Sequence, residues 1–206
     1  MDDDDLLIRL LTAADRAAAR NGWARTTLAA VAREAGAPLG EVRACAPDVA
    51  GLFIALAERA DAAAAEALDH GGEPEARDRL FDAAMARFDT LLVAKEAIAG
   101  FYRFARRDPI LLARLAPVRL RTVVSLLEIA DVPTVGPTGA RRVVELGRVW
   151  GKAFDVWLDD DETQSKTMAR LDQDLRKRDA LWGGGGAYGA EPPKPPPVTP
   201  EAEAAP

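Results

Sequence analysis

Apolar positions recur every three to four residues along most of this chain, the spacing of one buried face on a helix. Leu7, Leu10, Leu11, Ala14, Ala17 and Ala18 share such a face, and Asn21-Gly22 ends the helix they define. Thr26 and Thr27 are N-cap residues for a second helix, Leu28 to Ala35, with Leu28, Val31, Ala32 and Ala35 facing inward. Gly36 supplies the turn. Pro38 opens a short third helix carrying Leu39, Gly40, Glu41, Val42, Arg43 and Ala44, which Pro47 ends. Asp48 then caps a long alanine-rich helix, Val49 to Leu68.

His70-Gly71-Gly72-Glu73-Pro74 interrupts the pattern and marks a boundary between a small N-terminal unit and the rest. Glu75 to Val93 is helical again, with Leu80, Phe81, Ala84, Met85, Phe88, Leu91 and Leu92 on one side. Lys95 to Ala105 makes another helix, with Phe101, Tyr102 and Phe104. Pro109 opens the next, and Pro117 is expected to kink or split it before Val118 to Ala130. Val132 to Gly139 reads as a loop, Ala140 to Leu158 as a long helix, Asp159-Asp160-Asp161 as its break. Glu162 to Leu181 reads as a last helix with Met168, Leu171 and Leu175 on its buried stripe.

No segment alternates as a strand does. The expected fold is all-α with about nine helices. Residues 1–60 form a helix-turn-helix head whose last helix continues to about 69. Residues 61–182 form a larger helical body, and residues 183–206 a tail. The tail holds seven of the chain's fourteen prolines and four consecutive glycines, so it is expected to be disordered. Its Pro-Pro-Lys-Pro-Pro-Pro run could suit a proline-reading module, but it reads first as a plain solubilising tail.

Composition narrows the chemistry. Of 206 residues, 49% are hydrophobic and 29% charged, and the formal net charge is −6. That balance opposes general coating of nucleic acid, and it permits a sequence-specific binder with one basic face. Cys45 is the only cysteine and His70 the only histidine, so the chain has no intrachain disulfide or CxxC metal site, and a transition-metal site or Cys-His nucleophile pair is not expected. No cofactor, metal or enzymatic activity is expected. No apolar run reaches the roughly 20 residues of a membrane span. The start Met-Asp-Asp-Asp-Asp is the reverse of a basic targeting segment, so the expected location is cytoplasmic, without integral membrane association.

Other clusters carry weaker chemistry. Asp159 to Glu162 lacks the ligand spacing and glycine of a calcium loop, and reads as a capping and solubilising run. Trp150, Phe154 and Trp157 share one helix face and, with Phe88, Phe101 and Phe104, suit either ordinary core or the wall of an apolar pocket. Arg103, Arg106 and Arg107 read as a solvated helix end, or as a partner for an anionic headgroup. Cys45 reads as a small filler.

Residues 6 to 60 resemble the head of TetR-type transcriptional regulators. The resemblance rests on Ala13-Ala14, Gly22-Trp23, Thr26-Thr27-Leu28, Val31-Ala32, Ala35-Gly36, Leu39-Gly40, Val42, Pro47 and Leu52-Phe53. It implies a DNA-binding head and a body that encloses an effector pocket and forms a homodimer through its last helices. Thr27, Pro38, Gly40, Glu41 and Arg43 would then meet double-stranded DNA, and the aromatic set would take an apolar small molecule or lipid. Members commonly carry a Tyr, an aromatic pair, a Pro and a Lys after the recognition helix begins. Here those positions read Arg43, Cys45, Ala46, Pro47 and Val49, which predicts weak or narrowly specific DNA binding.

The body has a second resemblance. Arg79 to Asp89, Lys95-Glu96, Trp157-Leu158-Asp159-Asp160 and Thr167-Met168-Ala169-Arg170-Leu171-Asp172 are similar to bacterial accessory proteins of ubiquinone biosynthesis. Those share the fold, do not bind DNA and hold lipid or isoprenoid. The alternative this implies is a non-DNA-binding lipid carrier with a vestigial head.

Overall fold

The computed structural model describes residues 3–67 and 75–183. The expected break at His70–Pro74, the tail beyond 183 and Asp2 lie outside the described residues.

The described residues form ten α-helices: α1 (Asp3–Asn21), α2 (Leu28–Ala35), α3 (Leu39–Cys45), α4 (Val49–Ala67), α5 (Ala76–Leu92), α6 (Lys95–Ala105), α7 (Pro109–Ile129), α8 (Gly136–Leu158), α9 (Ser165–Arg176) and α10 (Asp179–Trp182). A single 3-10 turn, Trp23–Arg25, links α1 to α2. No strand occurs among the described residues.

The apolar stripe of α1 is buried as its spacing predicts, with Leu10, Leu11 and Ala14 fully covered. One continuous buried cluster runs from Leu6 through Val42, Phe53, Phe88, Leu127 and Trp157 to Leu175 and Trp182. The head is therefore not a separate core hung on a linker. The joint is aromatic. Phe53 of α4 stacks on Phe101 of α6 at 4.0 Å and 2°, and Trp23 meets both rings edge-on at 5.6 and 5.4 Å.

Three segments depart from the apolar pattern, each for a local reason. Pro117 neither ends nor splits α7, which runs through it unbroken. It lies on the exposed side, where the carbonyl it leaves unpaired can be met by solvent. The expected loop 132–139 is shorter, because Pro137 sits in the first turn of α8. Gly139, inside that helix, packs so closely on the Thr134 backbone that a Cβ would overlap it.

The expected last helix, Glu162 to Leu181, becomes a turn and two helices, which raises the helix count among the described residues to ten. Gln164 takes a left-handed conformation (φ 54°) before α9. The buried Asp160 carboxylate accepts from the Thr167 N–H at 2.7 Å and the Thr167 hydroxyl at 2.8 Å. These bonds fix the start of α9 at Ser165 rather than at Glu162. Met168 is exposed, and the buried side of α9 carries Thr167, Leu171, Asp174 and Leu175.

Candidate functional site

Two places gather the sequence-selected residues: the outer edge of α2 and α3, and a cavity in the body. The outer edge is built by local rules. Thr27 caps α2, its hydroxyl accepting from the Ala30 N–H at 3.2 Å. Gly36 closes α2 in the left-handed conformation at φ 63°, and the Ala37 N–H bonds back to the Ala32 carbonyl at 3.0 Å. Pro38 then starts α3 from an extended conformation.

Val31, Ala32, Val42 and Ala46 hold the two helices onto the core. That anchoring turns Gly40, Glu41 and Arg43 outward, and they are exposed together with Thr27 and Pro38. The five residues thus share the solvent side of one helix pair. Gly51 lets the turn between α3 and α4 pack on α4, since a Cβ there would stand 2.8 Å from Pro47 Cδ.

The charges of this edge are partly spent within the protein. Arg20 pairs with Glu34. Asp48 accepts from the Gly51 N–H at 2.8 Å and takes a bidentate pair from Arg114 of α7 at 2.6 and 2.9 Å. The hydrogen bonds from Arg114 hold the Asp48 carboxyl below its ordinary range, against the opposing effect of burial. Exposed Arg25, Arg33 and Arg43 have no ion-pair partner among the described residues. Ala46 is buried and Val49 half-buried, so neither offers a contact to a phosphate.

The cavity has a volume of about 160 Å³ and lies between α4, α5, α6, α7 and α8. Phe101, Trp150 and Phe154 line it as the apolar-pocket reading expects. Phe88 and Trp157 stand behind that wall, Phe88 stacked on Trp150 at 4.6 Å and lying 5.6 Å from Trp157. Phe104 is half-buried on α6 and does not line the cavity. The difference is one of helix phase: Phe101 and Phe104 are three residues apart, and only Phe101 turns into the aromatic joint.

Sequence reasoning did not select the polar lining. Arg87, buried on α5, donates from Nε to Asp61 Oδ1 at 2.6 Å and from Nη2 to Thr122 Oγ1 at 3.0 Å. The Thr122 hydroxyl reaches Asp61 Oδ2 at 3.2 Å. Burial works against the Arg87 charge, and Asp61 opposes that loss. The Arg87 guanidinium lies 4.9 Å from the Trp150 ring centre. Tyr102 and Arg119 also line the cavity, and burial raises the Tyr102 hydroxyl above its ordinary range. The available signal was Arg87 itself, a cation three residues after Ala84 and one before Phe88 in an apolar stripe.

The second set of sequence words has a structural use. Trp157 donates from Nε1 to Gln164 Oε1 at 3.1 Å, and Gln164 donates to Asp89 of α5. Lys95 donates to the Asp160 carbonyl and lies 5.2 Å from the Trp157 ring centre. Asp160 caps α9, so these words clasp the α8–α9 turn onto α5 and α6. Among the described residues no cluster of metal-ligating side chains occurs. No helix among them is long and apolar enough to cross a membrane.

No protein-family model matches the chain, and no curated protein does. Among solved structures the chain is similar to the TetR transcriptional regulator from Nitrosomonas europaea ATCC 19718. The TM-score is 0.65 at 19% sequence identity, over 84% of this chain and 97% of that one. With the helix-turn-helix edge and the helical body described above, this gives the chain the TetR-type fold.

Proposed function

We propose that the protein is a DNA-binding transcriptional regulator that works as a homodimer and responds to a small apolar ligand in its body cavity. The observation that carries this reading is the outward row on α3. Gly40, Glu41 and Arg43 are exposed while Val42 and Ala46 anchor the helix beneath them. A second helix of a helix-turn-helix places its N-terminal residues against base edges, here Pro38, Gly40 and Glu41. Glu41 suits a cytosine amino group, and Arg43, Arg33 and Arg25 suit phosphates. Val144 on α8 and Met168 on α9 are exposed apolar residues in the helices through which a dimer would form.

Genome-wide capture of DNA fragments by the purified protein at moderate salt tests the reading. A palindromic site is expected. Arg43→Ala should weaken binding to it and lower the salt slope by about one phosphate contact. Absence of any enriched fragment would sink the proposal.

A second reading, a lipid-holding accessory protein of ubiquinone biosynthesis, draws on one observation. Buried Ala46 and half-buried Val49 stand where the family carries an aromatic and a phosphate-contacting lysine. The cavity argues for the first reading. Its volume of about 160 Å³ suits one ring-sized group, since a 150 Å³ engineered cavity holds benzene, whereas drug-sized ligands occupy roughly 300–1,000 Å³. Lipid co-purifying with protein that captures no DNA would reverse that preference.

A further inference from the structure

We infer that the body cavity takes a small apolar carboxylate, a single aromatic ring bearing one negative charge, and that Arg119 is the residue that selects the charge. The inference rests on the ligand-pocket reading above and adds the ligand's chemical class.

Three observations converge on it. The first is charge balance around the cavity. Two arginines line it. Arg87 is balanced in charge, because Asp61 pairs with its Nε at 2.6 Å, and its Nη2 is held by the Ala57 carbonyl and the Thr122 hydroxyl. Beside the lining residue Tyr102, Arg106 and Asp155 pair with each other at 3.5 Å. Arg119 has no carboxylate partner among the described residues. It is the one unbalanced charge on the wall.

The second is that Arg119 is placed rather than loose. Its Nη2 donates to the Gly147 carbonyl of α8 at 2.7 Å. Gly147 and Gly151 stand one turn apart on that helix, and a Cβ at Gly151 would overlap Arg119 Nη2. The missing side chain at Gly151 makes the notch in which the guanidinium lies. Among the described residues no acceptor engages Nη1 or Nε. Two donors of a planar fork therefore remain for a ligand, the geometry that suits a carboxylate.

The third is the match of size and shape. Phe53, Phe101, Trp150 and Phe154 supply aromatic faces, and the volume admits one ring. Tyr102, also on the lining, adds a hydroxyl donor beside Arg119, whose charge lowers the Tyr102 pKa against the larger effect of burial. An apolar ring without a charge would satisfy the walls and leave Arg119 unanswered. A highly charged ligand would meet mostly carbon.

Titration calorimetry of the full-length protein with benzoate and with its neutral analogue benzyl alcohol tests the inference. Arg119 is solvent-exposed, so benzoate is expected to bind about three- to fivefold tighter, the scale of an exposed ion pair. Arg119→Gln should remove that advantage while leaving benzyl alcohol unchanged. Gly151→Ala keeps the charge and fills the notch, so it should weaken benzoate in the same way. Equal binding of the two compounds, binding of neither, or a benzoate affinity indifferent to Arg119→Gln would overturn the inference. Because calorimetry needs no DNA, these results stand apart from fragment capture, and either proposal can fail while the other survives.

Discussion

Asp160 has the most concentrated set of obligations of any single residue in the body. Burial would raise its carboxyl, but hydrogen bonds from the Thr167 hydroxyl, the Thr167 N–H and the Asp161 N–H together hold it below its ordinary range. A carboxylate depressed in the folded state contributes stability above its unfolded pKa of about 3.9, and that contribution fades as pH falls through the lower folded value. Asp174, where burial is outweighed chiefly by Arg170, behaves with the same sign. Urea titrations at descending pH should therefore show stability falling below about pH 4. Asp160→Asn should cost about 2 kcal/mol at pH 7, because an amide presents a donor to groups that donate, and should flatten the acid dependence. An unchanged midpoint would refute the capping role. At this scale the sequence was readable for caps that obey a short rule, such as Thr27 before Leu28. The Asp160–Thr167 bond spans seven residues across a left-handed Gln164, so no local pattern announced it. Arg87 was hidden for a related reason: its partner Asp61 is 26 residues away on another helix.

Among the elements, α7 carries an internal proline over 21 residues without ending. A proline inside a helix removes one backbone bond and costs about 3 kcal/mol, part of which it returns by stiffening the unfolded chain. Pro117→Ala is accordingly expected to stabilise the protein by about 2 kcal/mol in urea unfolding. A loss of stability would instead show that Pro117 is required for α7 to pack. The apolar period made the existence of α1, α2, α4 and α8 plain, since each buries one stripe. It misplaced the starts of α8 and α9 because those depend on a proline's first-turn fit and on a distant cap. It also over-counted the buried side of α9, where Thr167 and Asp174 are covered and Met168 is not. Polar residues enter that stripe only because each is satisfied by hydrogen bonds or ion pairs, which hydrophobic spacing cannot register.

On the scale of the whole molecule, the buried cluster passes without interruption from the head into the body. Head and body should then unfold in one step. Circular dichroism and tryptophan fluorescence are expected to give superimposable urea curves, and a separate early transition would show that the head melts alone. The same continuity gives a route between the two candidate sites. Leu115 lines the cavity beside Arg114, and Arg114 holds Asp48 at the start of α4. Phe53 and Phe101 line the cavity and also support Trp23 below the turn into α2. The all-α architecture was legible because helical spacing repeats so often, and the head because its turn, caps and anchors lie within thirty residues. The cavity was legible only in its aromatic wall, since its remaining lining is contributed by helices far apart in the chain. Trp23 adds a practical property. It is half-buried at the joint, whereas Trp150, Trp157 and Trp182 are buried. Relative movement of head and body changes the surroundings of one indole and spares the other three. The protein thus carries its own optical reporter at the place where its two halves meet.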